Sequence, residues 1–149
     1  MACQVSRRRL FASAAGLALS ALLTLPSFAA DPRLALQGHD PVAYFTLGKP
    51  TKGNEQISYV YDETRYLFVS AGHRALFVAN PEKYAPMYNG YCAMGMRKGY
   101  KLEPDPKNWA IVDGQLFVAS SPITPEIMAA DGNIAKGLAE WIKIHPVAK

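Results

Sequence analysis

Met87, Cys92, Met94 and Met96 fall within ten consecutive residues. Thiolate and thioether are soft donors, and soft donors select Cu(I) over harder cations. Cys92 is the only one of the four that can carry a charge, so it would anchor an ion, with Met94 and Met96 as its partners. His39, beside Asp40-Pro41, is the remaining candidate, as a ligand or gate packed near Cys92. The same residues also have a plainer use. Methionine fills irregular gaps in small cores, and a loop histidine is commonly a surface residue. Both readings stand on the residues alone.

Local geometry decides which donors can meet. On a helix, Cys92 and Met96 share a face and Met94 does not. In an extended segment, Cys92, Met94 and Met96 all point one way. Either form leaves at least two soft donors together. The other histidines add little: His73 is expected to be exposed and without a partner, and His145 to lie at a frayed end. Glu103 and Asp105 sit in a Pro-rich loop and read as structural. Lys98, Lys101 and Lys107 read as a solvated face. There is no nucleophile elbow, phosphate loop or zinc-protease helix. No catalytic constellation is visible, and the expectation is a protein that is not an enzyme.

The elements that must position these residues are short. Asp31 to Gln37 reads as a leader strand or extended arm. Asp40-Pro41 starts a helix, because Asp caps and Pro suits the first helical position. Ile57 to Tyr61 and Arg65 to Val69 are β-branched and aromatic, and they form a hairpin around Asp62-Glu63-Thr64. Ser70 caps a helix over Ala71 to Ala79 with Leu76 and Phe77 on its apolar side, and Asn80-Pro81 stops it. Glu82 to Met87 begins another short helical or turn segment. Trp109 to Val112 and Gln115 to Val118 flank Asp113-Gly114, a strong hairpin signal. Glu126 to Ile144 is partly helical, with Ile134, Leu138, Trp141 and Ile142 at helical spacing. Met128 belongs to this C-terminal segment, apart from the sulfur cluster. No internal repeat is visible. The pattern predicts a small α+β domain of two β-hairpins with short helices laid over them.

The first 29 residues are of another kind. Arg7, Arg8 and Arg9 precede an uncharged apolar run from Leu10 to Leu25, and Pro26 breaks it before Ser27-Phe28-Ala29. That order is a cleavable export signal, and the run is short for a membrane span. Ser6-Arg7-Arg8-Arg9-Leu10-Phe11 is similar to a twin-arginine export signal, the route that carries folded cargo; a general secretory signal fits the composition as well. Cleavage after residue 29 leaves residues 30–149, a normal size for one domain, in the periplasm and with no membrane span. The net charge of +4 is mostly the signal: without its three arginines, thirteen basic residues face twelve acidic ones. So even a balance gives no support to nucleic-acid or anionic-membrane binding. Cys3 leaves with the signal, and Cys92 becomes the only thiol. An unpaired thiol in an oxidising compartment is a liability unless it is buried, liganded or paired with another chain.

From Gly38 onward several motifs occur in order. They are Gly38-His39-Asp40-Pro41-Val42-Ala43-Tyr44-Phe45, Tyr66-Leu67-Phe68-Val69-Ser70 and Ala79-Asn80-Pro81-Glu82-Lys83-Tyr84. Gly90-Tyr91-Cys92-Ala93 and Trp109-Ala110-Ile111-Val112-Asp113-Gly114 follow. Together they resemble the YHS domain family, and in particular its stand-alone exported members. The resemblance implies a treble-clef-like α+β fold and a leaning toward metals. Cysteine-bearing relatives place thiols where this chain has Ala43, Val69 and His73, so a three-cysteine site does not carry over. The leading expectation is a periplasmic copper-binding or copper-handling module that uses Cys92 with nearby methionines and passes the metal to a delivery partner. The alternatives are an interaction domain with a buried structural Cys92, and a thiol-reactive protein.

Overall fold

A computed structural model describes residues 31–145. The signal-like segment 1–29 with its Ser27-Phe28-Ala29 site, and the Pro146 stop, lie outside the described residues. The fold is a small mixed α+β domain with two sheets and several helices. Strand β1 (Arg33–Leu34) pairs in parallel with β3 (Thr64–Phe68), which pairs antiparallel with β2 (Asn54–Tyr61). The second sheet is the hairpin of β4 (Asp105–Val112) and β5 (Gln115–Ala119). Helix α1 spans Pro41–Thr46, α2 Ala71–Ala79, α3 Pro81–Tyr84 and α4 Ala93–Met96. Helices α5 (Pro125–Ala129) and α6 (Asn133–Ile144) close the domain. None of the helices among the described residues is long and apolar enough to cross a membrane.

Local chemistry accounts for most boundaries. Asp40 caps α1 with Pro41 at its first position, and the Ser70 hydroxyl accepts from the N–H of His73 to start α2. Asn80 ends α2 and caps α3, and Thr124 caps α5 with Pro125 behind it. Both hairpins turn on two residues of positive φ. These are Asp62 (47°) with Glu63 (58°), and Asp113 (50°) with Gly114 (76°), the geometry whose twist matches the strands. The expected leader strand is shorter than its composition suggests. After Leu34 the chain enters a tight turn over Ala35–Gly38 in which Leu36, Gln37 and Gly38 all have positive φ.

Two cores sit on either side of β5. Leu116 and Val118 face the first, where Phe77 lies among Tyr59, Tyr61, Tyr66 and Phe68 at 4.9–6.2 Å between ring centres. Phe117 and Ala119 face the second, with Tyr88, Cys92, Met96 and Met128. A strand buried on both faces reads as a continuous apolar run, as Leu116 to Ala119 does. The expected apolar faces of two helices are adjusted. Phe77 is buried in α2 but Leu76 is 43 % exposed. Helix α6 docks through Asn133, Ile134, Gly137 and Trp141, while Leu138 and Ile142 face outward. Gly137 decides that register, because it lets Tyr88 lie against the helix with its hydroxyl bonded to Ile134 O at 3.1 Å.

The sequence shows no repeat, but the backbone does. The β2–β3 and β4–β5 hairpins match position for position. Asn54 opposes Phe68 as Asp105 opposes Ala119, and Ser58 opposes Leu67 as Trp109 opposes Val118. Each hairpin breaks register between those two pairs. Within each break the leading side chain accepts the N–H two residues on at 2.9 Å, Gln56 on Asn54 and Lys107 on Asp105. Each hairpin is preceded by a left-handed turn and a short helix: Ala35–Gly38 with α1, and Met87–Gly90 with α4. Each is followed by a hydroxyl-capped helix, α2 or α5. The two halves share backbone conformation and few side chains, which is why the sequence hides the repeat.

Candidate functional site

The repeat places Asp40 and Cys92 at equivalent points. Each follows a left-handed turn, and each backbone N–H donates across to the loop ahead of its hairpin, Asp40 to Thr51 O and Cys92 to Leu102 O. Each is the N-cap of the short helix that follows. In the first half, Asp40 Oδ1 accepts from Val42 N–H (2.8 Å) and Ala43 N–H (3.3 Å). Oδ2 accepts from Val69 N–H (2.9 Å) and His73 Nδ1–H (2.6 Å). In the second half one sulfur replaces both oxygens. Cys92 Sγ accepts from Gly95 N–H (3.4 Å), Ser120 N–H (3.3 Å) and the Ser120 hydroxyl (3.0 Å). Ser120 follows β5 as Val69 follows β3. A constellation that satisfies a buried carboxylate in one half thus surrounds a thiol in the other.

That environment acts on the thiol's charge. Burial pushes the Cys92 pKa up, but bonds from the Ser120 hydroxyl and from the N–H groups of Ser120, Gly95 and Met94 outweigh it. The net result lies below an ordinary thiol, because hydrogen bonds to the anion favour the anion. Removing the largest lowering contribution should reverse this. Ser120→Ala is expected to shift thiolate formation, followed by ultraviolet absorbance, toward higher pH. The sign also fixes stability: a depressed thiol pKa stabilises the fold above the unfolded-state pKa, and this is lost as pH falls through the folded value. An unchanged titration in Ser120→Ala would show that the hydroxyl does not bear on the sulfur.

The sulfur-bearing side chains do gather. Cys92, the N-cap of α4, is 3 % exposed, and Met96 at the end of its one turn is fully buried, so the helical alternative holds. Met87 and Met94 are partly buried against the same cluster. Met128 is fully buried in it too, so its expected separation from the sulfur cluster does not hold. Sequence distance hid it; α5 folds back over β4. His39 is not among this cluster. It lines a polar cavity of about 530 Å³ together with Gln37, Asp105, Lys107 and Ser120.

The other histidines differ from expectation. His73 is not a partnerless surface residue: it donates to buried Asp40, and its Nε2 lies 3.3 Å from Thr46 Oγ1. The backbone N–H groups of Ala43 and Val69 and the His73 ring therefore all meet at one carboxylate. His145 stacks on Trp141 at 4.4 Å and bonds Asp62 Oδ2 at 2.9 Å. Glu103 is structural as expected, held by the Arg33 guanidinium at 2.7 and 2.9 Å. Among the described residues no three His, Cys, Asp or Glu side chains converge on one point. Ser120 is the site residue the sequence did not mark; a hydroxyl after an apolar strand carries no signal of its own. No known protein family, curated protein or solved structure matches the chain.

Proposed function

We propose that this is an exported, non-enzymatic Cu(I)-binding module of the YHS type, with the Cys92 thiolate as anchoring ligand and methionine thioethers completing the coordination. One observation carries the reading: a thiol surrounded by donors that favour its anion shares a buried cluster with Met96 and Met128, and Met87 and Met94 pack against it partly buried. A thiolate with thioethers suits Cu(I) and suits Zn(II) poorly. The meeting of Ala43, Val69 and His73 at Asp40 supports the YHS resemblance, with a hydrogen-bonded carboxylate where other members would hold a metal. Export rests on the segment 1–29, and transfer to a delivery partner is the use that such a module would have in the periplasm.

Competition with a Cu(I) chelator under anaerobic conditions tests it. The wild type should hold about one Cu(I) per chain, and Cys92→Ser should lose on the order of a hundredfold or more in affinity. Met96→Leu should weaken binding by about tenfold at small cost in stability, because the volumes are alike. Equal affinity in the wild type and Cys92→Ser would leave Cys92 as a helix cap, the role Asp40 fills in the other half.

A further inference from the structure

Cys92 is 3 % exposed, so an ion needs a path to it. Tyr88, Met96, Phe117 and Met128 around it are themselves buried and open none. Ser120 is different. It is exposed, its hydroxyl lies 3.0 Å from Cys92 Sγ, and it lines the polar cavity of about 530 Å³ beside β4.

His39 lines the same cavity, and one contact selects the tautomer of its neutral ring. Its Nδ1 is 2.9 Å from Leu36 O. A carbonyl only accepts, so Nδ1 bears the proton, and in the neutral ring Nε2 bears the lone pair. Among the described residues nothing hydrogen-bonds to that Nε2. A carbonyl behind one ring nitrogen and a bare lone pair on the other is the usual arrangement of a metal-ligating histidine.

We propose that this cavity is the access route to Cys92: His39 Nε2 takes the incoming Cu(I) first, and the Ser120 hydroxyl turns off the sulfur to let the ion through. The proposal rests on the copper reading above and adds to it the route and the two residues that work it. As the Cu–S bond forms, the Cys92 S–H proton passes to water in the cavity; the other changes are in hydrogen bonds and coordination. Ser120 trades the sulfur for water in the cavity, and Cys92 gives the ion the lone pair that had accepted the hydroxyl. His39 affects how fast Cu(I) arrives more than how tightly it is held.

Two measurements on the full mature protein test it. The first needs no metal. Lys107 lines the cavity, is exposed, and lies on β4, where an aromatic residue is well tolerated. Lys107→Trp should fill the opening and slow alkylation of Cys92 by iodoacetamide by about fivefold or more, while Lys107→Ala stays within about twofold of the wild type. Equal rates in Lys107→Trp and the wild type would overturn the route. The second follows Cu(I) uptake from a chelate. His39→Ala should slow uptake by about tenfold and change equilibrium affinity by less than about threefold, with alkylation unchanged. If the wild type takes up Cu(I) and His39→Ala matches its rate, the route falls and the copper site stands. If the wild type takes up no Cu(I), the copper reading falls and this proposal with it.

Discussion

Asp40→Ala should cost about 4 kcal/mol of folding stability, read as a fall in the denaturant midpoint with little change in slope. Asp40 is fully buried, and each carboxylate oxygen accepts two hydrogen bonds. The alanine variant removes the cap of α1 and strands the N–H groups of Val42, Ala43 and Val69 and the His73 ring. A lost cap alone costs about 1 kcal/mol. The larger part is the desolvation of donors left without an acceptor. Asp40→Asn should recover little of this. Its oxygen can serve one pair of donors, but its NH₂ group then faces the other pair, donor to donor. A loss below about 1 kcal/mol in Asp40→Ala would show that water reaches this point and replaces the carboxylate.

Gly53→Ala should destabilise by roughly 3 kcal/mol, although it adds a single methyl group in a loop. A Cβ at Gly53 would lie 2.6 Å from the Leu67 carbonyl carbon, 2.7 Å from Leu67 Cβ and 2.8 Å from Phe68 N. Two of these three atoms are backbone of β3, so no rotamer change relieves the contact. The chain must pass this close because Gly53 N–H bonds Gly38 O at 2.9 Å, which ties the loop ahead of β2 to the turn that presents His39 and Asp40. Gly72→Ala is the contrast. It sits in α2 with only Ser70 Oγ nearby, at 3.6 Å, and should be more stable than the wild type by up to about 1 kcal/mol. Thermal unfolding of the two variants should therefore move in opposite directions. Equal midpoints would mean that the loop at Gly53 shifts to make room.

The first of these effects has a trace in the sequence and the second has none. Asp40-Pro41 announces a cap, and a cap accounts for Oδ1. Nothing near Asp40 announces Val69 or His73, which take Oδ2 and raise the cost of losing the residue. Gly53 stands in a polar loop like any flexible glycine. Its need for hydrogen in place of a side chain comes from Leu67 and Phe68, a strand away.

What the sequence determined by itself is local. The caps at Asp40 and Ser70, the stop at Asn80-Pro81, the positive-φ turn at Asp113-Gly114 and the two aromatic hairpins all rest on bonds or dihedral preferences within a few residues. Those can be read along a chain. It also marked Cys92 and Met96 as neighbours, since one turn of helix joins them. The tertiary structure alone decided which face of α6 is buried, that Met128 joins the sulfur cluster, that His39 lines the cavity with Ser120, and that His73 serves a buried carboxylate. It alone shows that Asp40 and Cys92 stand at matching points of two equivalent halves. The reason is the same in each case. Packing and long-range hydrogen bonds depend on where two distant backbones meet, and a repeat kept in backbone angles and hydrogen bonds leaves its side chains free to differ, as a carboxylate in one half and a thiol in the other.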